Sequence, residues 1–153
     1  MLSVSCRIIK YFAVVITLLV LPSAGARAVT WQSLDVTVAG IEAKRGGQLQ
    51  VFVFLEDGFP IKHAKALKTY VKPISGGEMT IKMEVPANIP FALKVHHDED
   101  GNNKVTKNWT GIFPKEGLGF SAGAKMSPMP PTFGEAKMTP PPDNATSVKI
   151  RYP

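Results

Sequence analysis

A chain of 153 residues has room for one ordinary domain, and 44% hydrophobic content is enough to build a core for it. The formal charge of +6 comes from scattered bases, with no basic block interleaved with aromatics, which argues against a nucleic-acid surface. The single cysteine, Cys6, precedes every element expected of the domain, so a disulfide framework and thiol chemistry are excluded.

Residues 1–28 have the order of a secretory signal. Arg7 and Lys10 form a positive region, and Tyr11 to Leu21 is an apolar run. Pro22-Ser23 breaks that run before two overlapping small-residue cleavage patterns, Ala24-Gly25-Ala26 and Ala26-Arg27-Ala28. The expected cut falls after Ala28, with Ala26 as the alternative. The run is shorter than the roughly 20 apolar residues a spanning helix needs, so no stable membrane anchor is expected after cleavage. Cys6 stands before the apolar run and not at the cut, which rules it out as a lipoprotein's acylated cysteine. The cut removes Arg7, Lys10 and Arg27 and no acid, leaving a formal +3. The mature domain, residues 29–153, is therefore expected in the periplasm or secreted.

Along that domain Leu34, Val36 and Val38 alternate with Asp35 and Thr37, the period of a half-buried strand. Lys44-Arg45-Gly46-Gly47 turns the chain, and Gln48 to Leu55 reads as a central strand. Glu56 to Pro60 ends it, and residues 61–68 read as a short helix or an irregular crossover. Thr69 to Ile74 is a strand closed by Ser75-Gly76-Gly77, a hairpin signal. Met79, Ile81, Met83 and Val85 alternate with polar residues, and Phe91 to His96 follows as another strand. Thr132 to Met138 and Ser147 to Tyr152 are the last two strands expected, joined by the stiff spacer Thr139–Asn144. About seven strands and no long helix predict an all-β fold, an antiparallel two-layer sandwich. Asp98 to Pro131 has no sustained period yet carries Trp109, Phe113 and Phe120. It is expected to be a long ordered loop excursion packed over one end of the sandwich.

One motif carries chemistry. Asp98, Asp100 and Asn102, with the Lys104 backbone carbonyl, stand at positions one, three, five and seven of an EF-hand-like loop, where oxygens converge on a hard cation. Asn103 replaces the turning glycine, though Asn tolerates positive φ. Trp109 replaces the bidentate glutamate, so a further carboxylate would have to come from elsewhere, Glu116 being a candidate. Two readings stand side by side: a weak calcium site, and an Asx-rich turn whose carboxylates cap backbone amides. His96 and His97 are adjacent at a strand end and should point to opposite faces. That is poor geometry for a shared metal, and edge or surface histidines are the expectation.

The order V-x-V-x-G-I at Val36–Ile41, E-D-G-F-P at Glu56–Pro60, H-D-E-D-G-N at His97–Asn102, G-I-F-P-K-E-G-L-G-F-S at Gly111–Ser121 and P-P-T-F-G-E-A at Pro130–Ala136 resembles one family. It is the exported bacterial family catalogued as domain of unknown function 2141, and the resemblance runs from about Leu34 to Ile150. It implies a transthyretin-like or immunoglobulin-like sandwich in the cell envelope of Gram-negative bacteria, and no established activity. The family's Tyr in E-G-Y-G-F-S is Leu118 here, and the second Gly of G-N-G is Asn103.

The leading functional reading is a non-enzymatic envelope module that binds or scaffolds an envelope ligand or protein. Trp109, Phe113, Phe120 and the acidic loop are its expected contact surface, unless the aromatics only cap the core. A calcium-stabilised structural domain is the first alternative. A metal-dependent hydrolase using His97, Asp98 and Asp100 is the second, and no catalytic residue is assigned.

Overall fold

The computed structural model describes residues 28–153, so residues 1–27 of the expected signal segment lie outside the described residues. Among the described residues seven strands form two sheets. They are β1 (Trp31–Ala39), β2 (Gln48–Phe54), β3 (Lys68–Pro73), β4 (Glu78–Pro86), β5 (Ala92–Asp98), β6 (Gly117–Phe120) and β7 (Ala145–Lys149). The smaller sheet has the order β4-β1-β7 and the larger the order β3-β2-β5-β6. Strand alternation set this up. The polar-apolar rhythm of β1 and β4 turns Leu34, Val36, Val38, Ile81, Met83 and Val85 inward, where they meet Leu49, Val51, Val53, Leu93 and Val95 of the larger sheet. The smaller sheet's other face is solvated, which is why its strands read cleanly in the sequence.

The all-β sandwich is as expected, with one refinement. β7 runs parallel to β1, Val38 pairing with Val148, so the smaller sheet is mixed. A parallel neighbour needs a crossover of a dozen residues or more, and here nearly the whole domain between the two strands provides it. Beyond β7, Arg151 exchanges backbone hydrogen bonds with Leu118 of β6 (2.9 and 3.0 Å), so the C-terminal segment ties the two sheets together.

Two local expectations are corrected, and one open alternative is resolved. Thr132–Met138 is not a strand: Phe133–Ala136 makes one helical turn, α1. Glu135 accepts hydrogen bonds from the Thr132 backbone N–H and hydroxyl, both at 2.7 Å, which fixes the turn's start. Only Met138 keeps a strand-like exchange, with Phe91. Of the two readings of residues 61–68, the irregular crossover holds, with a short 3-10 turn at His63–Lys65. The excursion, in turn, contains β6. Its glycines face inward under the C-terminal segment, where a Cβ at Gly117 would meet the Tyr152 ring and Ile150 at 2.5 and 2.6 Å. A Cβ at Gly119 would meet the Lys149 carbonyl at 2.9 Å. Short and half glycine, this strand has little propensity signal.

β5 is buried along its whole length. Leu93, Val95 and His97 face the core, while Ala92, Lys94, His96 and Asp98 face outward under the excursion. A second, smaller apolar cluster of Ala92, Leu118, Phe120 and Ala136, with Phe59, Met126 and Phe133, seals that outer face. The excursion is therefore an ordered cover, as expected, but over one face of the larger sheet and not over an end of the sandwich.

Candidate functional site

The outer face of the larger sheet carries a row of polar groups that strand registry puts side by side. Gln48 stands opposite Asp98, Gln50 opposite His96, and Phe52 opposite Lys94. Asp98 is fully buried. Its Oδ2 accepts from Gln48 Nε2 (2.8 Å), Gln50 Nε2 (3.0 Å) and the Asn103 amide (3.0 Å), and its Oδ1 from the Asn102 amide (3.1 Å). Burial pushes its pKa up, but these hydrogen bonds, with His96 nearby, outweigh that effect and hold the carboxyl below its ordinary range. The same two glutamines donate to Asn103 Oδ1, and Asn103 itself takes φ +61°.

The rest of the motif closes on itself. Asp100 accepts from the Asn102 amide, the Asn102 side chain and the Thr106 hydroxyl, while Asn102 Oδ1 accepts from the Lys104 amide. The loop thus brings Asp98, Asp100 and Asn102 together, with every side-chain oxygen already facing an N–H or O–H donor. A cation at their centre would have to compete with these donors for the same oxygens. Glu116 does reach this region. It is buried, accepts from the Glu99 amide (3.1 Å) and the Thr106 amide (2.7 Å), and pairs with His96 Nε2 (2.8 Å). His96, Asp98 and Glu116 place candidate ligand atoms within 4.8 Å of one another. Among the described residues His96 Nδ1 has no hydrogen-bond partner. Burial lowers the His96 pKa, opposed by the hydrogen bond and charge of Glu116.

The two histidines do point to opposite faces, but neither is at an edge or on the surface, because both are fully buried. The excursion covers His96 and the sandwich core covers His97. His97 Nε2–H donates to the Gly46 carbonyl (2.6 Å), and its Nδ1 accepts from the Tyr152 hydroxyl (2.6 Å), which itself accepts from the Glu42 amide (3.0 Å). His97 therefore does not converge with Asp98 and Asp100, and its ring serves the backbone.

The aromatic residues are likewise dispersed. Trp109 is 95% exposed and Phe113 45% exposed at the tip of the excursion, while Phe120 is 4% exposed in the small cluster. Phe120 caps packing; the two tip residues do not.

Sequence reasoning missed the residues at the centre of a cleft beneath the excursion. Between the outer face and the excursion lies a cavity of about 620 Å³, with Lys94 and His63 on its floor and Ile61, Ile112, Met126 and Met129 among its walls. Lys94 is 4% exposed. Its ammonium donates to the Pro60 carbonyl (2.9 Å) and to His63 Nε2 (2.7 Å). His63 stacks on Phe52 with ring centroids 4.1 Å apart. Burial lowers the Lys94 pKa to about 8. Burial, then the charges of Lys94 and His96, lower that of His63 to about 4, so at neutral pH His63 is uncharged and free to accept. The available signal was a charged residue phased away from the core in an otherwise apolar strand, and the sequence does not announce that the excursion buries that second face.

These features define an all-β sandwich with a buried polar row and an apolar cleft under one long loop. The chain belongs to a family described as an uncharacterized protein conserved in bacteria, DUF2141, whose model matches residues 36–149. No curated protein and no solved structure matches the chain.

Proposed function

We propose that the chain is a non-enzymatic binding module of the bacterial cell envelope, exported by its N-terminal segment, and that it holds an apolar ligand beneath the excursion. One observation carries the reading: the cleft of about 620 Å³ lies within the roughly 300–1,000 Å³ typical of small-molecule sites. Ile61, Ile112 and Met129, all well exposed, line it. Flexible methionines at such a rim adapt to ligands of different shape. The polar row beneath is spent on holding the loop, which favours binding over catalysis at this face.

The test uses the neutral dye Nile red. Its fluorescence should rise on the purified protein, and Ile112→Asp with Met129→Asp should weaken binding about tenfold, roughly 1.4 kcal/mol. Both side chains are exposed, so folding should survive. An unchanged affinity would overturn the cleft as the site. A second reading, scaffolding of a protein partner, is favoured by the nearly free Trp109 at the tip. It predicts that Trp109→Ala abolishes partner capture and leaves the dye bound.

A further inference from the structure

Resting on the proposed binding role, we infer that the ligand is an amphipathic carboxylate, its head at Lys94 Nζ and its aliphatic body along Ile61, Ile112 and Met129. Charge complementarity carries the choice. Among the described residues the cleft is lined by Lys94, Lys104, Lys107 and His63, and by no aspartate or glutamate. Among the described residues Lys94 forms no ion pair. A buried cation is ordinarily matched by a buried anion, and here its partners are a carbonyl and an imidazole. An ammonium has three N–H donors, of which Pro60 and His63 take two, leaving one for the cleft. The Phe52 ring, 5.9 Å from Nζ, gives only a diffuse negative face.

The rest of the neighbourhood fixes the head as a single small anion. Glu116 and Asp98, buried beside His96, are committed to His96, Gln48, Gln50 and backbone amides, so they do not compete for Lys94. One remaining donor on a point charge suits a carboxylate, whereas a larger multiply charged head is served by forked arginine donors. Among the described residues no arginine lines the cleft. Lys104 and Lys107 at its mouth would favour entry of an anion over a neutral or cationic analogue.

The experiment titrates the purified protein with dodecanoate, dodecanol and dodecyltrimethylammonium by calorimetry. Dodecanoate is expected to bind at least tenfold more tightly than dodecanol, with the cation weakest. Lys94→Met should erase the preference for the acid while dodecanol still binds. Should that variant not fold, Ile112→Asp supplies the second check, because a carboxylate at the exposed wall should weaken dodecanoate more than dodecanol. Equal binding of acid and alcohol by the wild type would overturn the head assignment and leave the apolar cleft standing. Failure of all three amphiphiles, with Nile red also unbound, would remove the cleft reading itself. Sedimentation with phosphatidylglycerol vesicles that Trp109→Ala abolishes, without binding of free dodecanoate, would assign this face to a bilayer and overturn the proposal.

Discussion

Lys94 and His63 are held at a cost that neither would carry on the surface. For Lys94 the drop from 10.5 to about 8 corresponds to on the order of 3 kcal/mol against its charged form. Because the folded pKa lies below the unfolded one, the penalty is complete below about pH 8 and fades as pH rises toward 10.5, where the unfolded chain holds a proton the folded one has released. Lys94→Met should therefore gain stability relative to the wild type below pH 8, and the difference should shrink between pH 8 and pH 10. Loss of the donors to Pro60 and His63 offsets part of the gain, about 1–3 kcal/mol, so the pH trend is the sharper observable. Urea melts of both proteins at several pH values would read it, and a flat difference between pH 8 and pH 10 would mean that burial in the cleft does not lower the Lys94 pKa. His63 works in the same sense at the acid end. Its pKa falls from 6.5 to about 4, so it withdraws stability as pH drops from 6.5 toward 4. Sites that spend stability in this way are common where function requires them.

At the scale of the element, the excursion owes its order to the acids at its base. A loop calcium site with a dissociation constant of roughly 0.1–1 mM would add on the order of 0.4–1.4 kcal/mol at about 1 mM calcium. That corresponds to a rise of roughly 1–8 °C in melting temperature. With each oxygen of Asp98, Asp100 and Asn102 already facing a donor, the expected melting temperatures in millimolar calcium and in chelator are equal. A rise in calcium that Asp100→Asn removes would place the ion in the loop. β6 gives a prediction of its own. Gly117→Ala puts a methyl group into the Tyr152 ring and Ile150. It should destabilise by about 1–3 kcal/mol, the usual range for overpacking, read as a lower urea midpoint at unchanged slope.

The same elements show what was legible in the sequence. Strands with one wet face, β1 and β4, were readable because period two survives when only one side is buried. β5 was found as a strand, but its second buried face depends on a loop that approaches from a distance, so Lys94 and His96 gave no sign of their burial. The turn at Phe133–Ala136 was legible in principle. Thr132 and Glu135 stand at capping-box spacing, a signal that the strand reading of Thr132–Met138 did not use. Of the candidate site, the acidic loop was seen and the cleft was not. A cleft joins Pro60–His63, Lys94 and the excursion across long stretches of chain, and no local pattern records such a meeting.

At the scale of the whole molecule, the described fold depends on sheet packing and on two seams at its ends. At the C-terminal seam, Arg151 is bonded to β6 and the Tyr152 hydroxyl to His97 and Glu42. At the N-terminal seam, the Thr30 amide donates to Asn88 Oδ1 (3.1 Å), Asn88 Nδ2 donates to the Ala28 carbonyl (3.2 Å), and the Ala87 amide donates to the Thr30 carbonyl (2.8 Å). A cut after Ala26 keeps all three bonds. A cut after Ala28 forfeits only the exposed Ala28 contact, a loss of about 0.5–1.5 kcal/mol, and leaves β1 starting at Trp31. Both mature chains should therefore fold, and a cysteine-free domain should do so without regard to redox conditions. Circular dichroism of protein recovered from the envelope should be sheet-dominated and unchanged by thiol reagents. Its intact mass should match a chain beginning at Arg27 or Val29. A recovered chain that still begins at Met1 would overturn the export proposal without touching the fold. A cut several residues beyond Thr30 would instead remove the Asn88 seam, and should lower the melting temperature of an otherwise identical sandwich.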